Sequence, residues 1–203
     1  MSASLSSVLT KLAGLCLAAG VIVLSAATAA PPVRSVERFD AQRYAGMWYE
    51  LARVPNRLQA PCMADVTATY RPLDDGSMAV VHRCRDSGQR FHIAVGHAVP
   101  AAGDRSGARL RLSFLPQWLQ WLPSANDDHW VVMLDPDYRY AVVSQPSRRT
   151  LWILSRTPTL DIDTYDGIVA QLRAQKYPVD RLVPTPQRLQ RPPALAERPR
   201  LMV

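Results

Sequence analysis

Gly46-Met47-Trp48-Tyr49-Glu50-Leu51-Ala52-Arg53 is the stretch on which the reading of this chain turns. A glycine leads a run of apolar and aromatic residues with strand character, and Pro55-Asn56 closes it. Just before it, residues 39–44 suit one short helical turn, which Asp40 can cap and Gly46 can end.

Working outward, further short runs follow at hairpin spacing. Residues 64–71 alternate, with Val66, Ala68 and Tyr70 on one face and Thr67, Thr69 and Arg71 on the other. Asp74-Asp75-Gly76-Ser77 is a tight turn into residues 78–84, where Met78, Val80 and His82 share a side. Residues 90–99 form the next strand. In residues 109–114, Leu110, Leu112 and Phe114 oppose Arg109, Arg111 and Ser113. Strands over 128–134, 138–144 and 150–155 complete the series. A helix of about 15 residues then starts at Thr159, with Ile162, Tyr165, Ile168, Val169 and Leu172 on one stripe. Pro178 stops it, and a short ninth strand falls near Leu182-Val183.

Eight antiparallel strands and one helix predict an all-β fold, an up-and-down barrel with the helix outside. Closure removes the two edges that a flat sheet would expose. Its interior has room for side chains or one small ligand.

The 203 residues carry a net charge of +7, with 48% hydrophobic and 20% charged residues. These are ordinary globular values for one domain. The arginines are scattered on strand faces opposite apolar ones, which reads as a solvated surface and argues against nucleic acid. A loose attraction to anionic lipid stays open.

Residues 1–29 read as a signal peptide: Lys11, an apolar run from Leu12 to Ser25, and Ala27-Thr28-Ala29 at the cut. A retained anchor and lipidation at Cys16 are the rival readings, and the bulky Leu15 speaks against the second. The main domain is then 30–187, opened by a polar leader over 30–38. The Pro- and Arg-rich tail, 188–203, is expected to be disordered. Export places Cys62 and Cys84 in an oxidising compartment, periplasmic or secreted. A disulfide or two buried thiols are the alternatives.

Three separated motifs then resemble the lipocalin family: Gly46–Arg53, Leu134-Asp135-Pro136-Asp137-Tyr138, and Leu151-Trp152-Ile153-Leu154-Ser155-Arg156-Thr157-Pro158. With Val66–Tyr70 they look like the branch holding bacterial lipocalins, temperature-induced lipocalins and apolipoprotein D. The resemblance implies an eight-stranded calyx that binds a small hydrophobic ligand. Trp48 would sit at the barrel floor with Arg156 packed over it, and Gly46, Asp135 and Tyr138 would be structural. Strand parity gives Val66, Ala68, Tyr70, Val80, His82, Leu110, Leu112 and Phe114 as inward residues. The family pattern adds His129, Val131, Met133, Tyr140 and Trp152. The Val, Leu and Met positions either line a pocket or fill the floor, and His82 is either a ligand contact or a satisfied core side chain.

His82, His92, His97 and His129 show no metal-ligand spacing, and no cofactor motif is present. The Trp118–Trp121 loop either meets a membrane or gates the mouth, or else folds onto the barrel. The leading expectation is an exported carrier of fatty acids, lysophospholipids or similar lipids, acting in envelope lipid transport, storage or maintenance. The outer membrane is a candidate site of association, and oligomeric state is not legible. An enzyme on the same fold would need a nucleophile or acid–base pair on the inward faces, and none is apparent. A protein acting through its basic tail is the third reading.

Overall fold

The computed structural model describes residues 30–119, 121–122 and 126–188. The expected signal peptide and all but the first residue of the expected tail lie outside the described residues.

Eight strands form the barrel: β1 (Gly46–Arg53), β2 (Ala64–Pro72), β3 (Met78–Arg85), β4 (Phe91–Pro100), β5 (Arg109–Ser113), β6 (Asp127–Leu134), β7 (Tyr140–Ser144) and β8 (Leu151–Ser155). Each pairs antiparallel with its neighbour in sequence, and β1 pairs with both β8 and β2 to close the sheet. The first helix, α1, is Ala41–Tyr44, capped by the Asp40 carboxylate. The second, α2, is Ile162–Ala174. Its cap is Asp161, which accepts the Thr164 amide, so the helix starts two residues later than Thr159 would place it. The ninth strand, β9, is Val183–Pro184.

Closure is completed at a seam. β1 pairs with β2 only through residues 46–49, then continues along β8. The C-terminal segment fills the gap that this leaves. Thr185 N–H donates to the Leu51 carbonyl, and Asp65 N–H donates to the Pro186 carbonyl. The Gln187 amide donates to the carbonyls of Glu50 and Val66 at 2.7 and 2.9 Å, bridging the two strands. Backbone groups that would be stranded by the divergence are thereby paired.

Burial occurs on both sides of the wall. Trp48, Tyr44, Tyr70, Met78, Leu110 and Val131 belong to a cluster at the floor of the barrel. Ile168 and Leu172 of α2 pack outside, against Val132, Val142, Leu151 and Ile153. The expected polar leader is part of this packing: Val36 joins the floor cluster, Val33 the outer one, and Val36 N–H donates to the Val131 carbonyl.

The floor is tied by a few polar contacts. Trp48 is fully buried and its indole N–H donates to the Tyr44 carbonyl at 2.9 Å. The Arg156 guanidinium lies 3.8 Å from the Trp48 ring centroid and donates to the carbonyls of Met47, Arg43 and Tyr138. Gly46 has φ +97°, and a Cβ there would stand 3.3 Å from the Arg156 NH1 atom. A side chain would thus meet backbone strain and crowd the guanidinium together. Asp135 holds Arg139 through two bonds and accepts two backbone amides, which sets the β6–β7 turn in which Tyr138 takes positive φ.

Arg156→Ala should lower unfolding free energy by about 2 kcal/mol in urea titration, and Arg156→Lys by about half that, since lysine keeps the charge but not the flat fork. Equal losses in the two variants would show that the planar group has no special part.

Candidate functional site

The up-and-down order of the strands brings the loops at 54–63 and 86–90, the described part of 114–126, and the loop at 145–150 to the end opposite Trp48. There the barrel interior opens as a cavity of about 190 Å³. Its wall includes nine of the residues expected to face inward: Val66, Ala68, Tyr70, Val80, His82, Leu112, Phe114, His129 and Trp152. Leu110 and Val131 do point inward, but they lie in the floor cluster beneath the cavity.

Met133 and Tyr140, expected inside, lie on the outer face against the α2 cluster. The cause is a β-bulge in β6: Val131 pairs with Val143, yet Met133 pairs with Val142. One extra residue inverts the parity beyond it. On β7, Ala141 and Val143 face the floor cluster, which turns Tyr140 outward.

The wall also includes residues that strand parity did not supply, among them Glu50, Leu58, Gln59, Ala94, Asp127 and Asp128. Asp127 was within reach of the same rule, because it stands two residues before His129. Gln59 was not, because it comes from the β1–β2 loop.

Gln59 is buried and saturates its amide within the site. Its Oε1 accepts from the Trp152 indole at 2.6 Å and from Asn56 at 2.9 Å. Its Nε2 donates to Glu50 at 2.5 Å and to His82 Nε2 at 3.0 Å. Glu50, also buried, accepts further bonds from Arg53 at 2.7 Å and Thr185 at 2.5 Å. A buried carboxylate is tolerated only with such pairing. His82 must be neutral to accept from an amide, which agrees with a pKa lowered chiefly by burial. Deeper in, the Tyr70 hydroxyl lies 3.0 Å from His129 Nε2. Burial depresses the His129 pKa to about 4 and raises that of Tyr70, so the phenol donates to a neutral imidazole.

Phe114 reaches the wall because residue 96 is glycine. A Cβ on Gly96 would stand 2.8 Å from the Phe114 ring and from the Ser113 carbonyl. At the rim, Cys62 and Cys84 form a disulfide with Cα atoms 5.4 Å apart, tying the β1–β2 loop to the end of β3. Simple hairpin counting sets Cys84 opposite a residue near 67. The register shift in β2 between Ala64 and Thr67, where Asp65 takes positive φ, brings Cys62 into reach.

Among the described residues, the one group of ligating side chains close enough to converge on an ion is Cys62, His82 and Cys84, with ligand atoms within 4.8 Å of one another. Bonded to each other, the sulfurs offer no thiolate, and Gln59 already occupies His82 Nε2.

Residues 39–187 match the family model for a lipocalin-like domain. The chain is 37% identical over 153 residues to temperature-induced lipocalin-1 of Arabidopsis thaliana, covering 75% of this chain and 81% of that one. It is 33% identical over 167 residues to the outer membrane lipoprotein Blc of Citrobacter freundii, covering 81% and 90%. Its fold is similar to that of insecticyanin from the tobacco hornworm Manduca sexta, with a TM-score of 0.58, 17% identity, and coverage of 79% and 92%.

The depressed imidazoles give the fold a pH signature. His129 has a folded pKa of about 4 against an ordinary 6.5, so below pH 6.5 the unfolded chain binds more protons than the folded one. Stability is complete above the ordinary value and falls as pH drops toward the folded one, by roughly 2–3 kcal/mol for His129 alone. Denaturation series between pH 7 and pH 4 should show this decline, and His129→Asn should flatten it. An unchanged slope in that variant would rule out His129 as its source.

Proposed function

The chain belongs to the lipocalin-like family, and from that premise we propose that it is a non-catalytic carrier whose calyx takes one small hydrophobic ligand at a time. The observation that carries the reading is the cavity itself. Its wall is mainly apolar and aromatic, and Glu50, Gln59, His82, Trp152, Tyr70 and His129 are engaged with one another or with neighbouring protein groups. A side chain so satisfied is a poor nucleophile or general base, but it makes a well-ordered container. Burial of an apolar chain supplies the affinity, at about 25 cal/mol per Å² removed from water. Single-chain lipids such as fatty acids and lysophospholipids are the ligand class we favour, with envelope lipid transport, storage or maintenance as the role.

Export is part of the proposal. It rests on the N-terminal sequence, on the disulfide, and on similarity to relatives named outer membrane lipoproteins. So is contact with a membrane. Trp118 and Trp121 are 73% and 76% exposed on the β5–β6 loop, beside the mouth of the cavity. Exposed indoles are costly in water and favoured at a bilayer surface, where docking would bring the mouth to the lipid.

Titration with a neutral fluorescent probe should give saturable binding with quenching of tryptophan emission, and single-chain lipids should displace the probe. Ala94→Trp, which places an indole against the cavity, should weaken binding about tenfold or more with an unchanged circular dichroism spectrum. Absence of binding by every acyl lipid tried would sink the carrier reading. For the membrane, Trp118→Ser/Trp121→Ser should release the protein from anionic vesicles in a flotation assay. Equal flotation of both forms would remove the loop from the proposal.

A further inference from the structure

The charge on the cavity wall is one-sided. Among the described residues it includes three carboxylates, Glu50, Asp127 and Asp128, and two neutral-leaning imidazoles, but no ammonium or guanidinium group. Glu50 is already compensated by Arg53 at 2.7 Å. The donors of Arg53 are in turn taken by Glu50, Thr185 and the Cys62 carbonyl.

Asp127 and Asp128 differ from Glu50. They open β6 at the rim, both are exposed, and among the described residues no ion pair reaches either carboxylate. Asp127 sits opposite Leu112, a wall residue, and shares the inward parity of His129. Asp128, next along the strand, sits opposite Arg111 and also borders the cavity. Deeper in, Gln59 has no hydrogen-bonding capacity to spare, and Tyr70 pairs with His129. A ligand's polar head therefore gains little at depth and stays at the rim, within the field of these two aspartates.

Resting on the hydrophobic-ligand reading above, we propose that the calyx selects single-chain amphiphiles with a cationic head, an ammonium or quaternary ammonium, over those with a carboxylate. Asp127 attracts the first and repels the second, and in a partly desolvated mouth both effects exceed their size in open water. Phe114 and Trp152 line the same wall, and aromatic side chains favour an ammonium group again. Partial burial and the neighbouring Asp128 already raise the proton affinity of Asp127, the response of a site that gains from positive charge. Among the single-chain lipids, fatty acid anions thus become the least suited.

The test compares three ligands of equal chain length against one neutral probe, in the purified protein at low salt: dodecyltrimethylammonium, dodecanol and dodecanoate. The cation should displace the probe at about tenfold lower concentration than the carboxylate, with dodecanol between them. In Asp127→Asn/Asp128→Asn the two charged ligands, each expressed relative to dodecanol, should converge. Dodecanoate binding as tightly as the cation, or an unchanged ratio in the double variant, overturns the selectivity while leaving the carrier reading intact. Failure of all three ligands, dodecanol included, overturns both.

Discussion

The guanidinium of Arg156 over the indole of Trp48 is the contact that holds the rest of the barrel in order. A closed sheet needs its floor sealed, and a tryptophan seals it well, but the backbone carbonyls that converge there still need donors. One planar cation supplies them while stacking on the ring. Because its partners come from the α1 helix, β1 and the β6–β7 turn, the same group ties together segments far apart in sequence. The glycine that opens β1 is the geometric condition for this, since a side chain at Gly46 would crowd the guanidinium.

The opposite end solves a different problem. There β1 and β2 part, and the seam is closed by the C-terminal segment, with Gln187 bridging strand carbonyls from outside and Gln59 gathering the interior polar groups. Two neutral amides achieve this with no net charge, which suits a wall that must stay mostly apolar. The barrel is thus tied across several segments where Arg156 seals it, and built largely from loops and a late-joining segment where a ligand would enter. A ligand's apolar chain inside the cavity would touch Gln59 and Trp152, and through them the hydrogen bonds that keep the β1–β2 loop in place.

Much of this was legible from strand alternation. Val66, Ala68, Tyr70, Val80 and His82 fell on the wall because a period of two fixes which side each residue faces, provided that the strand is regular. The reading failed where that condition failed. The bulge after Val131 turned Met133 outward, and no residue in that stretch marks it, since Val131, Val132, Met133 and Leu134 are all apolar and suit either face. Burial on both sides of the wall removes the polar alternation that would have shown the change. Gln59 lay beyond reach for another reason: its position depends on the path of a loop, which carries no period. The disulfide shows the same limit from the other side, as the register shift near Asp65 is what brings Cys62 to Cys84.

Charge at two length scales gives the last step. The net charge of +7 belongs to the whole chain, and over distances beyond a Debye length of about 8 Å it would act only on the approach to a large anionic body such as a bilayer. At the mouth a ligand head would meet individual charges at short range, and the cavity wall supplies Asp127 and Asp128 there. On the proposed reading, encounter and selection would be governed by opposite signs. A surface that favours anionic membranes can surround a cavity that disfavours anionic ligands, because the carboxylates that border the cavity lie nearer to a head group at the rim than most of the scattered arginines do. On this view the basic composition of the chain says where the protein would go. The acidic rim says what it would carry.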